Sequence, residues 1–134
     1  MSSQLDPQVQ RLLFEHVSSF EQLEALLLLQ RSPAALWDAR QVAEALRLPT
    51  ASVIGALAQL AAHHLLQVES QAGETRYRYA PSAELAPPAA RLAAVHAERP
   101  LEIIQQMSAN AIERLRSSAA RAFSDAFLFR NRRE

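Results

Sequence analysis

The chain has 134 residues, enough for one domain and an appendage, and 49% of them are apolar, so a sizeable core is available. Only two glycines occur, which argues against Gly-rich phosphate loops and against a β-rich fold; the absence of cysteine excludes disulfides, thiol nucleophiles and thiolate metal sites. Formal net charge is zero, so the basic footprint usual for a nucleic-acid-binding domain is missing overall.

All fourteen basic residues are arginine, and they are unevenly spread. Residues 38–80 hold four arginines against four acids, whereas residues 114–134 hold six against two. No apolar run reaches the roughly 18 residues needed to span a bilayer. The N-terminal MSSQLDPQ has neither the basic n-region nor the apolar h-region of a signal peptide. A soluble cytoplasmic protein is expected.

Asp6-Pro7 reads as an N-cap followed by proline at the first helical position, and Val9, Leu12, Leu13 and Val17 continue at helical spacing over about 7–17. Ser18-Ser19 interrupts. Ser19 with Gln22 fits a capping box for a helix over about 19–31, whose leucines at 26–29 predict burial on several faces. Pro33 closes it. Trp37 is expected in the core, in a short strand pairing with a later hairpin. Asp38 with Gln41 makes a second capping box, for a helix over about 39–47 with Val42, Ala43 and Leu46 inward. Leu48-Pro49-Thr50 is a turn, with Thr50 positioned to cap the next helix, about 50–63. There Val53, Ile54, Leu57, Leu60 and Ala61 share one face; Ala51, Ser52, Gly55, Gln59, Ala62 and His63 share the opposite one. His64, just past the helix, would take the left-handed conformation that ends it.

Leu65 to Glu69 alternates as a strand, 70–74 forms a hairpin tip, and Thr75 to Tyr79 alternates strictly. Tyr77 and Tyr79 therefore share one face, expected to pack on the helices. Arg76 and Arg78 share the other, open to solvent. Ala86-Pro87-Pro88 is either a hinge or the start of a helix reaching about Glu98. After Arg99-Pro100, the residues Leu101, Ile104, Ala111, Leu115, Ala119, Ala122 and Ala126 recur every three to four positions. This is a narrow apolar seam suited to helix pairing, in one helix or in two separated at Ser117-Ser118. Phe123, Phe127 and Phe129 are expected to dock on the body or on a second chain.

No enzymatic constellation is present. His16, His63, His64 and His96 match no metal spacing, and nucleotide, hydrolase and metalloprotease motifs are absent, so neither a metal nor a cofactor is expected. The acids are scattered singly, as on solvated faces. No residue signature marks a ligand pocket.

Helix, tight turn, helix and two-stranded hairpin, in that order over 38–81, form the layout of a winged helix-turn-helix. The fold class is thus mainly α with a small β-hairpin: a winged helix-turn-helix over 1–81 and a helical extension over 82–134. The run D-A-R-Q-V-A-E-A-L-R-L-P-T-A-S-V-I-G-A-L-A-Q-L-A-A-H-H-L-L resembles the helix-turn-helix of the MarR-like superfamily of bacterial transcriptional regulators, and R-Y-R-Y-A-P is similar to its wing. The Phe123–Phe127 segment, F-S-D-A-F, is similar to the end of small bacterial proteins of this kind. The resemblance implies a DNA-binding transcriptional regulator, dimeric through the later helices. Thr50, Ser52, Gly55, Gln59 and His63 would then lie at the major groove, with Arg40, Arg47, Arg76 and Arg78 at phosphates. Leu101, Ile104, Leu115, Phe123 and Phe127 would form the homodimer or partner surface. Two features depart from a DNA reader: the second helix exposes no arginine, and the wing carries Glu69 and Glu74. The alternative is a winged-helix module that binds a transcription or signalling protein without touching DNA.

Overall fold

A computed structural model describes residues 5–132 and the side chains of residues 5–127. Phe129 lies outside the described side chains. The elements run α1 (Pro7–Glu15), α2 (Phe20–Arg31), α3 (Ala39–Leu46), α4 (Thr50–Ala62), β1 (Leu66–Gln71), β2 (Glu74–Tyr79), α5 (Ala86–Glu98) and α6 (Pro100–Arg132).

Local chemistry starts each of the first three helices. Asp6 accepts the Gln8 amide at 2.8 Å ahead of Pro7. Ser19 and Gln22 form a reciprocal capping box for α2, and Asp38 and Gln41 form one for α3. Each satisfies amides that the helix itself leaves free, worth about 1 kcal/mol per cap.

The core is one cluster. Leu23, Leu26 and Leu29 of α2 meet Val53, Leu57 and Leu60 of α4, with Leu12 and Leu13 of α1, Leu92 of α5 and Ile103 of α6 joining them. The α2 helix buries residues around much of its circumference, as its leucine run requires.

Two antiparallel strands make the wing. Leu66 pairs with Tyr79 and Gln71 with Glu74, so the turn is only Ala72-Gly73, both at positive φ (52° and 80°). The tip is tighter than the expected 70–74 because Ser70 and Gln71 stay in the ladder, and a two-residue turn of this hand matches the strand twist. Trp37 adds a single bridge to Tyr77, with N–O distances of 2.9 and 2.7 Å in the two directions. Gln30 of α2 donates to the Tyr79 hydroxyl and to the Ala89 carbonyl, each at 3.1 Å, tying wing and α5 to the central helix.

Ala86-Pro87-Pro88 starts α5, with the prolines in the first turn where no amide donor is needed. No break occurs at Ser117-Ser118, and α6 is one helix of 33 residues. Among the described side chains, only those of its first half touch the body. Ile103, Met107 and Asn110 are buried against α1 and α5, and Arg114 donates to the carbonyls of Leu13 and Phe14 with its guanidinium 4.9 Å from the Phe14 ring. Those carbonyls lie in the last turn of α1, where a cation also meets the negative helix end. Beyond Arg114 every described side chain of α6 is exposed. Phe123 and Phe127 are 74% and 57% exposed, so they do not dock on their own body. No single helix is long and apolar enough to cross a membrane among the described residues.

Candidate nucleic-acid interface

The α4 helix buries Val53, Ala56, Leu57 and Leu60 and leaves its other side open. Ile54 differs from the sequence expectation. It lies at the edge of the buried arc and is 52% exposed, while Ala56 takes the inward place. The outer face comprises Ala51, Ser52, Ile54, Gly55, Ala58, Gln59 and Ala62, without one formal charge. A methyl group built on Gly55 meets no atom within 4 Å. No contact within the chain therefore requires glycine there.

Thr50 is exposed but does not cap. The N-cap position falls on Pro49, whose extended backbone (ψ 137°) enters the helix one residue earlier, and no side chain satisfies the first amides of α4. Those N–H groups point outward at the positive helix end, the usual seat for a phosphate oxygen.

Both helices of the motif end on a left-handed residue that is not glycine. Arg47 has φ 57° and His64 φ 64°. Behind them Leu48 donates to Ala43 at 3.1 Å and Leu65 to Leu60 at 3.0 Å, the wrap-around bonds that close a helix C-terminus. His64 takes the conformation expected of it; Arg47 does so without a sequence signal.

The arginines separate into two groups. Arg40 and Arg47 are exposed and form no ion pair among the described residues. On the wing, Arg76 pairs with Glu74 at 3.2 Å, and Arg78 pairs with Glu69 at 3.0 Å while also donating to Gln67 at 2.9 Å. Arg78 is only half exposed. The expectation of two solvent-facing, unengaged arginines on the wing is corrected: Glu74 on the same strand pairs with Arg76, and Glu69 across the hairpin pairs with Arg78, so the glutamates that make the wing acidic also engage its arginines.

His63 is likewise not free on the outer face of α4. Its Nδ1 lies 2.9 Å from Nδ1 of His16, with the rings edge-on at 79° and their centroids 5.1 Å apart. That separation is close to the N–N distance plus two ring radii, so each nitrogen points at the other. This is the geometry of one shared hydrogen bond, in which one ring donates and the other accepts. Burial, then the charge of His63, hold the His16 pKa below its ordinary value; Glu15 and Glu84 act against this and His64 with it. The pair joins the end of α1 to the end of α4. Spacing could not show it, because the rings are 47 residues apart. Next to it, a cleft of about 240 Å³ between α1 and the start of α5 is lined by Arg11, Leu12, Glu15, His16, Glu84 and Pro88. Among the described residues no group of three or more His, Asp or Glu is arranged to hold a metal ion.

The predicted pairing residues lie along α6. Leu101, Ile104 and Leu115 are 64%, 39% and 70% exposed; Leu101 and Leu115 lie on the side of the helix away from Ile103 and Met107, and Ile104 lies at its edge, beside Met107.

No family model and no curated protein sequence matches this chain. Solved structures do. A point mutant of S. aureus MepR bound to an oligodeoxyribonucleotide is 15% identical with a TM-score of 0.53, over 89% of this chain and 87% of that one. Reduced HlyU from Vibrio cholerae is 18% identical with a TM-score of 0.51, over 68% of this chain and 88% of that one. At such identities the likeness is one of fold, and the chain has the winged helix-turn-helix fold that these proteins share.

Proposed function

We propose that the protein is a transcriptional regulator that binds duplex DNA as a homodimer, with α4 in the major groove. Residues 1–81 make the DNA contacts and residues 82–134 hold the copies together. The observation that carries this reading is the open side of the helix-turn-helix: α4 presents an uncovered face and uncapped first amides, and Arg40 and Arg47 are free to meet phosphate. Thr50, Ser52 and Gln59 supply the hydrogen-bonding groups toward base edges, with Gly55 allowing the backbone to approach closely. In this reading the protein is not an enzyme and acts in the cytoplasm. The test is a mobility shift on duplex from its own upstream region at low salt. A retarded band that fades steeply as salt rises supports the reading, and no band at low salt contradicts it.

A second reading has its own observation. The α4 face holds no arginine and both wing arginines are engaged by glutamates, so the surface suits an uncharged protein partner as well as a groove. In that case the chain binds a transcription or signalling component without touching DNA. A partner recovered with the intact protein should then be lost on Gly55→Arg, and retention of every partner would count against it.

A further inference from the structure

We infer that α6 pairs with α6 of a second copy in antiparallel register, with the two-fold axis beside Leu115. This deepens the homodimer reading and is independent of whether DNA is bound. Three observations carry it.

The first is incompleteness. From Leu115 to Arg132 the helix extends about 27 Å at 1.5 Å per residue, and none of its described side chains is buried. A helix of this length owes its stability in water mainly to packing of an apolar face. Leu115 and Phe123, both at least 70% exposed, form part of such a face with nothing of their own chain against it.

The second is the symmetry of the seam. Outward from Leu115, the exposed seam positions Ala111 and Ala119 match each other, as do Ile104 and Ala126; Ser108, exposed on the same side of the helix, matches Ala122, and the counterpart of Leu101 falls at 129, outside the described side chains. Each pair is equidistant from Leu115, so the spacing reads the same in both directions. An antiparallel copy turned about Leu115 meets this seam position for position. It sets the large Ile104 against the small Ala126, while the alanines and serine between let the two backbones approach closely.

The third is what the partner covers. Phe20 is 48% exposed beside a hollow of about 200 Å³ lined by Ile104, Met107, Ser108 and Ala111, on the body-anchored half of α6. In antiparallel register the partner's projecting half lies along this anchored half and covers the hollow. In parallel register the projecting halves would meet only each other and the two hollows would face one another. Antiparallel pairing also aligns the helix dipoles favourably. From Leu101 to Phe127 the contact is about 39 Å long. Hiding a third to a half of a helix about 11 Å across buries roughly 450–700 Å² per chain before Phe20 and the hollow are added. A stable interface needs about 800 Å² per partner.

The chain has no cysteine, so introduced thiols report pairing cleanly. Leu115→Cys, Ile104→Cys and Ala126→Cys all fall at exposed positions. Under mild oxidation Leu115→Cys should form a covalent dimer with itself. Ile104→Cys and Ala126→Cys should each remain uncrosslinked alone and crosslink when mixed. In the antiparallel pair two Ile104 positions lie about 33 Å apart along the axis, far beyond the roughly 7 Å Cα separation a disulfide tolerates. Self-crosslinking of Ile104→Cys, or failure of the mixture, overturns the register. A monomeric mass for the unmodified protein at micromolar concentration overturns pairing altogether. No readout contains DNA, so the regulator reading stands or falls separately.

Discussion

The helix-turn-helix and the far half of α6 both present an uncovered face, and they differ in what that face costs. In α4 the inner side buries Val53, Leu57 and Leu60, while the outer side is mostly Ala, Gly, Ser and Gln, which rest in water at little expense. Along α6 beyond Arg114 there is no inner side, and Leu115 and Phe123 stand in solvent. One surface is complete without a partner and the other is not. The exposed apolar side chains of α6 therefore carry a hydrophobic cost that the proposed pairing with a second copy would remove, whereas the outer face of α4 carries almost none.

The largest expected effect tests the buried half of the comparison. Leu57 is fully buried between α2 and α4, and Leu57→Ala should cost about 2–5 kcal/mol in denaturant unfolding. A loss under 1 kcal/mol would mean that the inner face of α4 is not packed as described. Next comes Arg47. A left-handed residue other than glycine carries roughly 1–2 kcal/mol of strain. Arg47→Gly should raise unfolding stability by about 1 kcal/mol and weaken DNA binding in the same protein. Unchanged binding would remove Arg47 from the interface.

Gly55→Ala gives a similar separation on the outer face of α4. The added methyl has open space, so helix propensity alone should stabilise the protein by up to about 1 kcal/mol. If a groove or partner backbone approaches closely there, binding should fall while stability rises; binding that is unaffected removes that role for glycine. The smallest effect is pH dependence. The His16 pKa is depressed in the folded chain, so the unfolded chain binds the extra proton first. The contribution of the His16–His63 contact is therefore complete above the ordinary imidazole value near 6.5 and is lost as pH falls below it. Thermal unfolding should decline from pH 7 to pH 5 more steeply in the native protein than in His16→Gln, and parallel curves would deny the pair its role.

Much of the fold was legible because its signals are local. The capping boxes at Ser19/Gln22 and Asp38/Gln41 need only a three-residue spacing, and the alternation of Thr75–Tyr79 needs only a period of two. Trp37 was readable as a strand bridge because the hairpin that receives it was readable. Errors arose where one residue of phase decides. Thr50 lost its capping role because Pro49 already stands at the helix boundary, and Ile54 turned outward because it sits at the edge of the buried arc. Serines at 117 and 118 did not break α6, since an exposed serine costs a helix only a few tenths of a kcal/mol. The His16–His63 contact and the anchoring of α1 by Arg114 join groups 47 and 101 residues apart, and no window of sequence contains them. The wing pairs are local, but strand alternation alone does not say which acid engages which arginine. The outer face of α4 was legible as a face, but its neutrality does not say what ligand it would bind.

That ligand is tested most directly by titrating salt against binding of the protein to duplex DNA from its own upstream region. With Arg40 and Arg47 from each of two copies at phosphates, the logarithm of the binding constant should fall against the logarithm of salt with a slope of about −3 to −4. Replacing both arginines by alanine should flatten that slope. Binding that is absent at low salt, or whose slope is indifferent to Arg40 and Arg47, would contradict the account.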